Sequence, residues 1–205
     1  HMLRRRSMDA RLLTWCVVYG GIAAFAAYRV VSAAPSLVRI VWVGAAVFAV
    51  AVALGILGGY KSLAQELVVF AGLCLASPWA EAATRGYMGR ETLGRWLLLV
   101  AAFWTAVFAV RVRSRGAGAR GVSLVYGAAA LAFAWVLAEA GLVAMDDVWL
   151  LTPSLARTLF VAAVPGVWAG MRIRTIGIVE TVVAGGTLGI ALLSYGWRIP
   201  HAGLW

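Results

Sequence analysis

Apolar residues run along this chain in blocks of about twenty, each closed by arginine, glycine, serine or proline. A helix needs roughly 20 largely apolar residues to cross the hydrocarbon of a bilayer. On that rule the pattern predicts seven spans, at 12–33, 37–58, 63–83, 93–112, 121–143, 153–171 and 175–195. The sixth is the weakest, being short and holding Arg157 and Pro165. Connections between the blocks are short, which makes successive spans antiparallel neighbours. The expected fold is all-α, a polytopic transmembrane helical bundle of about seven spans, or six if 153–171 does not cross. A basic tail over 1–11 precedes a single bundle over 12–195, and a short tail follows over 196–205.

Composition supports the same class. The 205 residues are 63% hydrophobic and 13% charged, with a mean hydropathy of +0.91. Soluble domains are roughly 45–50% apolar and about 25% charged, so this chain has too little polar surface to face water on all sides. No stretch is polar enough to form a separate soluble domain. Cys16 and Cys74 sit apart within apolar runs and suggest neither a disulfide framework nor a metal knuckle.

The net charge of +10 comes from arginine, since Lys61 is the only lysine. These arginines gather at the ends of apolar runs and form no water-facing stripe, so nucleic acid is not an expected partner. Their placement fits the positive-inside rule. With seven spans, one side carries Arg4, Arg5, Arg6, Arg11, Lys61, Arg111, Arg113, Arg115, Arg120, Arg172 and Arg174. The other carries Arg29, Arg39, Arg85, Arg90, Arg95 and Arg198, with the acidic corner Asp146-Asp147. This asymmetry predicts a cytoplasmic N-terminus and an outer C-terminus.

The residues that break the apolar pattern are the candidate chemistry. Glu180 lies inside the last block, on a face continued by Ala184, Thr187, Ala191 and Ser194; Ile178, Val182, Leu188 and Leu192 form the opposite face. Small and weakly polar residues on one side predict that Glu180 looks into the bundle. A carboxylate at the bilayer centre costs about 2.5–3.5 kcal/mol on insertion scales, so a guanidinium partner or a polar recess is expected. Glu66 is predicted at a similar depth, with Arg111, Arg113, Arg172 and Arg174 at that level. Arg29, Glu81, Glu139 and Arg157 form a second set toward the other side, with an apolar middle between the two layers. Either set could be ion pairs that fix helix register, or the lining of a pocket for a headgroup, cation or proton.

Other features have ordinary structural readings. Gly166–Gly170 and Gly185–Gly189 are GxxxG pairs of the kind that let helices pack closely in lipid. Trp15, Trp42, Trp79, Trp96, Trp149, Trp197 and Trp205 lie near predicted span ends, as in an aromatic belt. Trp104, Trp135 and Trp168 lie deeper and are expected toward the interior. No catalytic residue, metal site or cofactor is expected. His201 is the only histidine apart from His1, the serines lack a histidine partner, and no phosphate-binding glycine loop is present.

Three segments resemble the YwiC-like family of small bacterial and archaeal membrane proteins: GGYKSLAQELVVFAGLCLASPWAEAATRG (58–86), RWLLLVAAFWTAVFAVRVRSRG (95–116) and RIRTIGIVETVVA (172–184). The resemblance extends over roughly residues 58–195. It implies a membrane protein, puts Glu66 and Glu180 at two recurring acidic positions, and supplies no activity. An expected His-Gly-aromatic segment and further N-terminal spans are missing, so the front reads as divergent or shortened. The expected function is non-enzymatic, binding or moving a small molecule or lipid through a cavity near Glu66 and Glu180. An accessory subunit of a membrane complex, as a homo- or hetero-oligomer, is the alternative, and a lipid-modifying enzyme comes last. Membrane lipids are the expected partners.

Overall fold

The computed structural model describes residues 10–33, 35–57, 62–85, 87–115 and 119–196, and among them every element is helical. The helices are α1 (Ala10–Ala33), α2 (Val38–Leu57), α3 (Leu63–Cys74), α4 (Ala76–Arg85), α5 (Arg90–Arg115), α6 (Arg120–Glu139), α7 (Thr152–Ala163), α8 (Pro165–Gly170) and α9 (Ile173–Gly196). Short 3-10 segments occupy Pro35–Leu37 and Met145–Leu151. Four stretches among the described residues are long and apolar enough to cross a membrane: Leu63–Arg85, Arg90–Arg113, Arg120–Glu139 and Ile173–Leu193. Val38–Leu54 is a shorter apolar helix. The bundle is that of an all-α membrane protein.

Prolines set the interruptions. Pro78 lacks the N–H that would bond the carbonyl of Cys74, and the ladder reorganises just before it. Leu75 turns its N–H back to Gly72 O at 3.0 Å, dividing the third block into α3 and α4. Pro165 acts likewise on the predicted span 153–171. It pushes the residue before it out of helical geometry, and Val164 sits at φ −129°, ψ 59° between α7 and α8. That predicted span is therefore a broken pair of 12 and 6 residues.

α6 ends on a glycine for a stereochemical reason. Gly141 has φ +66°, a conformation that costs a residue with a Cβ. Gly141 N–H donates to Ala138 O and Leu142 N–H to Leu137 O, both at 2.9 Å, which closes the helix by the Schellman pattern. Leu142 then joins the core formed by Leu98, Ala102, Ala134, Leu137, Val143, Leu150 and Leu151.

α5 is the axis of the bundle. It contacts α3, α4, α6, α7, α8 and the segment Met145–Leu151, and buries residues along most of its length, from Thr92 to Val112. Near its N-terminal end Gly94 permits the closest approach, since a Cβ there would lie 2.1 Å from Leu142 O. Near its other end Trp168 of α8, fully buried, packs with Ala109, Val112, Val161 and Ile176. Trp168 also donates its indole N–H to Ala109 O at 2.8 Å.

The GxxxG pairs are not where helices meet. Among the described residues, a Cβ at Gly166, Gly170, Gly185 or Gly189 would find nothing within 4 Å. Close packing uses Gly94, Gly127 against Thr158, Gly72 against Val47 and Gly186 against Pro153 instead. The pairing expected at Gly166–Gly170 and Gly185–Gly189 is thus corrected: those faces point away from the protomer's own helices.

Candidate functional site

Polar side chains meet α5 at three levels, marked by Arg95, Thr105 and Arg111. At 1.5 Å per residue they lie about 15 Å and 9 Å apart along the helix. The set spans roughly 24 Å, most of a hydrocarbon core of about 30 Å.

At the first level Arg95 collects carboxylates from three elements. It donates to Glu81 of α4 at 2.7 Å and reaches Glu91, one turn back on α5, at 3.4 Å. Asp147 lies 3.6 Å from its Nε and also accepts from Ala144 N–H at 3.1 Å. Arg95 and Asp147 are buried, and Glu81 is also held by Arg85 at 3.0 Å. Buried charges persist only when paired and hydrogen-bonded, and this cluster meets that condition by joining α4, α5 and the 3-10 segment.

At the opposite level Arg111 donates twice to one oxygen of Glu66, at 3.0 and 3.2 Å. Ser62 caps α3 by accepting Gln65 N–H at 3.2 Å, which leaves Glu66 in the first turn, where the helix dipole favours an anion. The same α3–α5 seam holds two indole bonds, Trp104 to Leu67 O at 2.8 Å and Trp96 to Ala71 O at 3.1 Å. Trp96, expected in the aromatic belt, instead ties two helices. Ala71 belongs to the last turn of α3, where carbonyls lack intrahelical donors.

The middle level was expected to be apolar. It holds Arg157 of α7, which donates one guanidinium nitrogen to Glu180 of α9 and the other to the Thr105 hydroxyl of α5. Arg157, grouped by sequence with Arg29, Glu81 and Glu139, thus stands beside Glu180. The reason is the α7–α9 hairpin: the chain reverses through α8, so residues on either side of the break come level. Glu180 faces the bundle, with Thr187 buried on its side of α9, while Ile178, Val182, Leu188 and Leu192 are exposed. Arg172 and Arg174 are exposed and Arg113 is half-buried; none pairs with a carboxylate among the described residues. Arg29 and Glu139 are exposed as well. Sequence reasoning counted Arg95 and Asp147 among the charges of one membrane side and put neither in a site; the Glu91–Arg95 spacing of four was the available signal. Thr105, a lone hydroxyl in an apolar run, was missed altogether.

Two spaces among the described helices bear on these residues. The one touching Glu180 is about 20 Å³, far below the 300–1,000 Å³ usual for ligand sites. The other is a groove of about 800 Å³ between α1, α2 and α3, reaching from Gln65 to Trp79. Its walls are apolar apart from Gln65 and the indole of Trp79, with Ala23 and Ala27 on one side and Gly44, Val47 and Ala51 on another. Among the described residues no group of three His, Cys, Asp or Glu side chains could hold a metal ion.

Comparison with curated proteins gave no match, nor did comparison with solved structures. Residues 1–81 match the family described as YwiC-like protein. Only 58–81 are shared with the segments that suggested this family; the front, expected to be divergent, is where the match falls. It also contains every residue lining the larger groove, from Ala23 to Trp79. The chain is thus similar to the YwiC-like proteins over residues 1–81.

Proposed function

We propose that this membrane protein binds a lipid chain or an apolar small molecule in the groove between α1, α2 and α3. The observation that carries this reading is an apolar groove of ligand-site volume, built wholly from the family-matched part of the chain. It modifies the expectation of a cavity near Glu66 and Glu180. Gln65 lines the groove and Glu66 is its neighbour in the chain, whereas the space at Glu180 is too small for a lipid. The three charged levels then act as the frame that fixes helix register. The arginine-rich end at Arg111, Arg113, Arg120, Arg172 and Arg174 faces the cytoplasm in this reading, with the N-terminus on the same side of a prokaryotic cytoplasmic membrane.

Gly44 allows a clean test, because a Cβ there has only Leu75 Cδ1 nearby, at 4.0 Å. Gly44→Leu extends a side chain into the groove. The full chain, exchanged into a phosphatidylethanolamine and phosphatidylglycerol mixture, is weighed by native mass spectrometry. Retained lipid in the wild type that is lost in a folded Gly44→Leu supports the reading; equal retention refutes it.

A second reading is an accessory subunit docked through α9. Gly185 and Gly189 lie open on a helix whose spanning window is only 11% buried, as a partner helix would require. Gly185→Ile would then disrupt an assembly seen by size-exclusion with light scattering, and leave groove lipid in place.

A further inference from the structure

Beside the Arg157–Glu180 pair lies a partly open hollow of about 20 Å³, lined by α5, α7 and α9. A single water needs about 10–15 Å³ for its centre, so the space admits one and nothing much larger. Ala102 and Ala106 form the α5 wall; Ser154, Arg157, Glu180 and Thr187 supply polar groups.

Those polar groups are incompletely bonded within the protein. Arg157 is only 4% exposed, yet its Nε–H has no acceptor among the described residues. Glu180 uses one carboxylate oxygen for Arg157, while the other, Oε1, is buried without a donor. Thr187 is 5% exposed and donates its hydroxyl to Val183 O at 3.1 Å, which leaves its oxygen able to accept. The residues that carry this donor and these two acceptors all border a space of one water's size. Buried polar groups with no protein partner are the usual hosts of internal water, which typically makes about three bonds.

We propose that this hollow is the binding site of one internal water, accepting from Arg157 Nε–H and donating to Glu180 Oε1 and Thr187 Oγ1. A cation is disfavoured by the adjacent guanidinium, and the volume excludes a larger anion. The water completes the hydrogen bonding of a charge pair that must persist between apolar helices. It also ties α9 to α7 through Thr187 as well as through the direct bridge. This site is separate from the groove and does not depend on it.

X-ray hydroxyl-radical footprinting of the full chain in mild detergent tests the site, because radicals formed from a bound water modify the side chains touching it. Phe103 lines the hollow, and fully buried Leu98 is the internal reference. In the wild type Phe103 is modified above the Leu98 background. That label is lost in Ala106→Leu, which fills the hollow, and in Thr187→Val, which keeps its volume and removes the oxygen. If Ala106→Leu does not fold, Thr187→Val decides alone. No Phe103 label above background in the wild type, or a label that persists in the folded variants, overturns the proposal.

Discussion

Replacing Arg157 by methionine, Glu180 by glutamine, and both together separates the cost of burying these charges from the worth of their bond. The Arg157 side chain is 2% exposed and that of Glu180 24%. Removing one partner of a buried pair leaves the other charge uncompensated, typically at about 3–5 kcal/mol, whereas apolar replacement of both is often neutral or stabilising. Arg157→Met leaves a carboxylate that keeps some contact with its surroundings, so its cost falls toward the low end, about 3 kcal/mol. Glu180→Gln strands the more deeply buried guanidinium, which retains Thr105 but loses its countercharge, and should cost about 3–5 kcal/mol. For a protein of 150–250 residues each kcal/mol moves the melting temperature by about 2–4 °C, so 3 kcal/mol is a fall of about 6–12 °C. The double variant should recover most of that loss. Thermal unfolding of the four proteins in one detergent, followed by tryptophan fluorescence, gives the cycle. Single losses that add in the double variant, or singles that each cost under about 1 kcal/mol, would show that the pair is not coupled as the geometry requires.

Two further outcomes follow from the same packing. Arg95→Met takes the guanidinium from buried Asp147 and leaves Glu81 with Arg85 alone, and should cost about 3–5 kcal/mol, read as loss of folded protein on size-exclusion; a folded variant within 1 kcal/mol of wild type by thermal melt contradicts this. Gly94→Ala drives a methyl into the Leu142 carbonyl and should exceed the usual 1–3 kcal/mol of overpacking, whereas Gly185→Ala meets open space and should fall within about 0.5–1 kcal/mol of wild type, on the stabilising side; melting temperatures of the two variants in the opposite order would refute the packing.

The helical class and the facing of α9 were legible because both follow from local periodicity. The alternation that set Glu180 and Thr187 opposite Ile178 and Leu188 is a property of one helix, and a helix keeps its faces wherever it is placed. Pro165 likewise announced a weak span, since the missing N–H acts on its own neighbours. The identity of Glu180's partner was different. Depth along the sequence pointed to Arg111, Arg113, Arg172 or Arg174, but pairing depends on which helices adjoin, and the reversal through α8 brought Arg157 level instead. The glycines divide in the same way: GxxxG spacing is visible in one strand of sequence, yet whether a neighbour approaches depends on the second helix, and at Gly185 none does while at Gly94 a carbonyl does. The larger groove belongs wholly to this second kind. Apolar spans are encoded residue by residue, because transfer into lipid acts on each side chain separately, whereas charge partners and cavities arise only from the arrangement of several helices around α5.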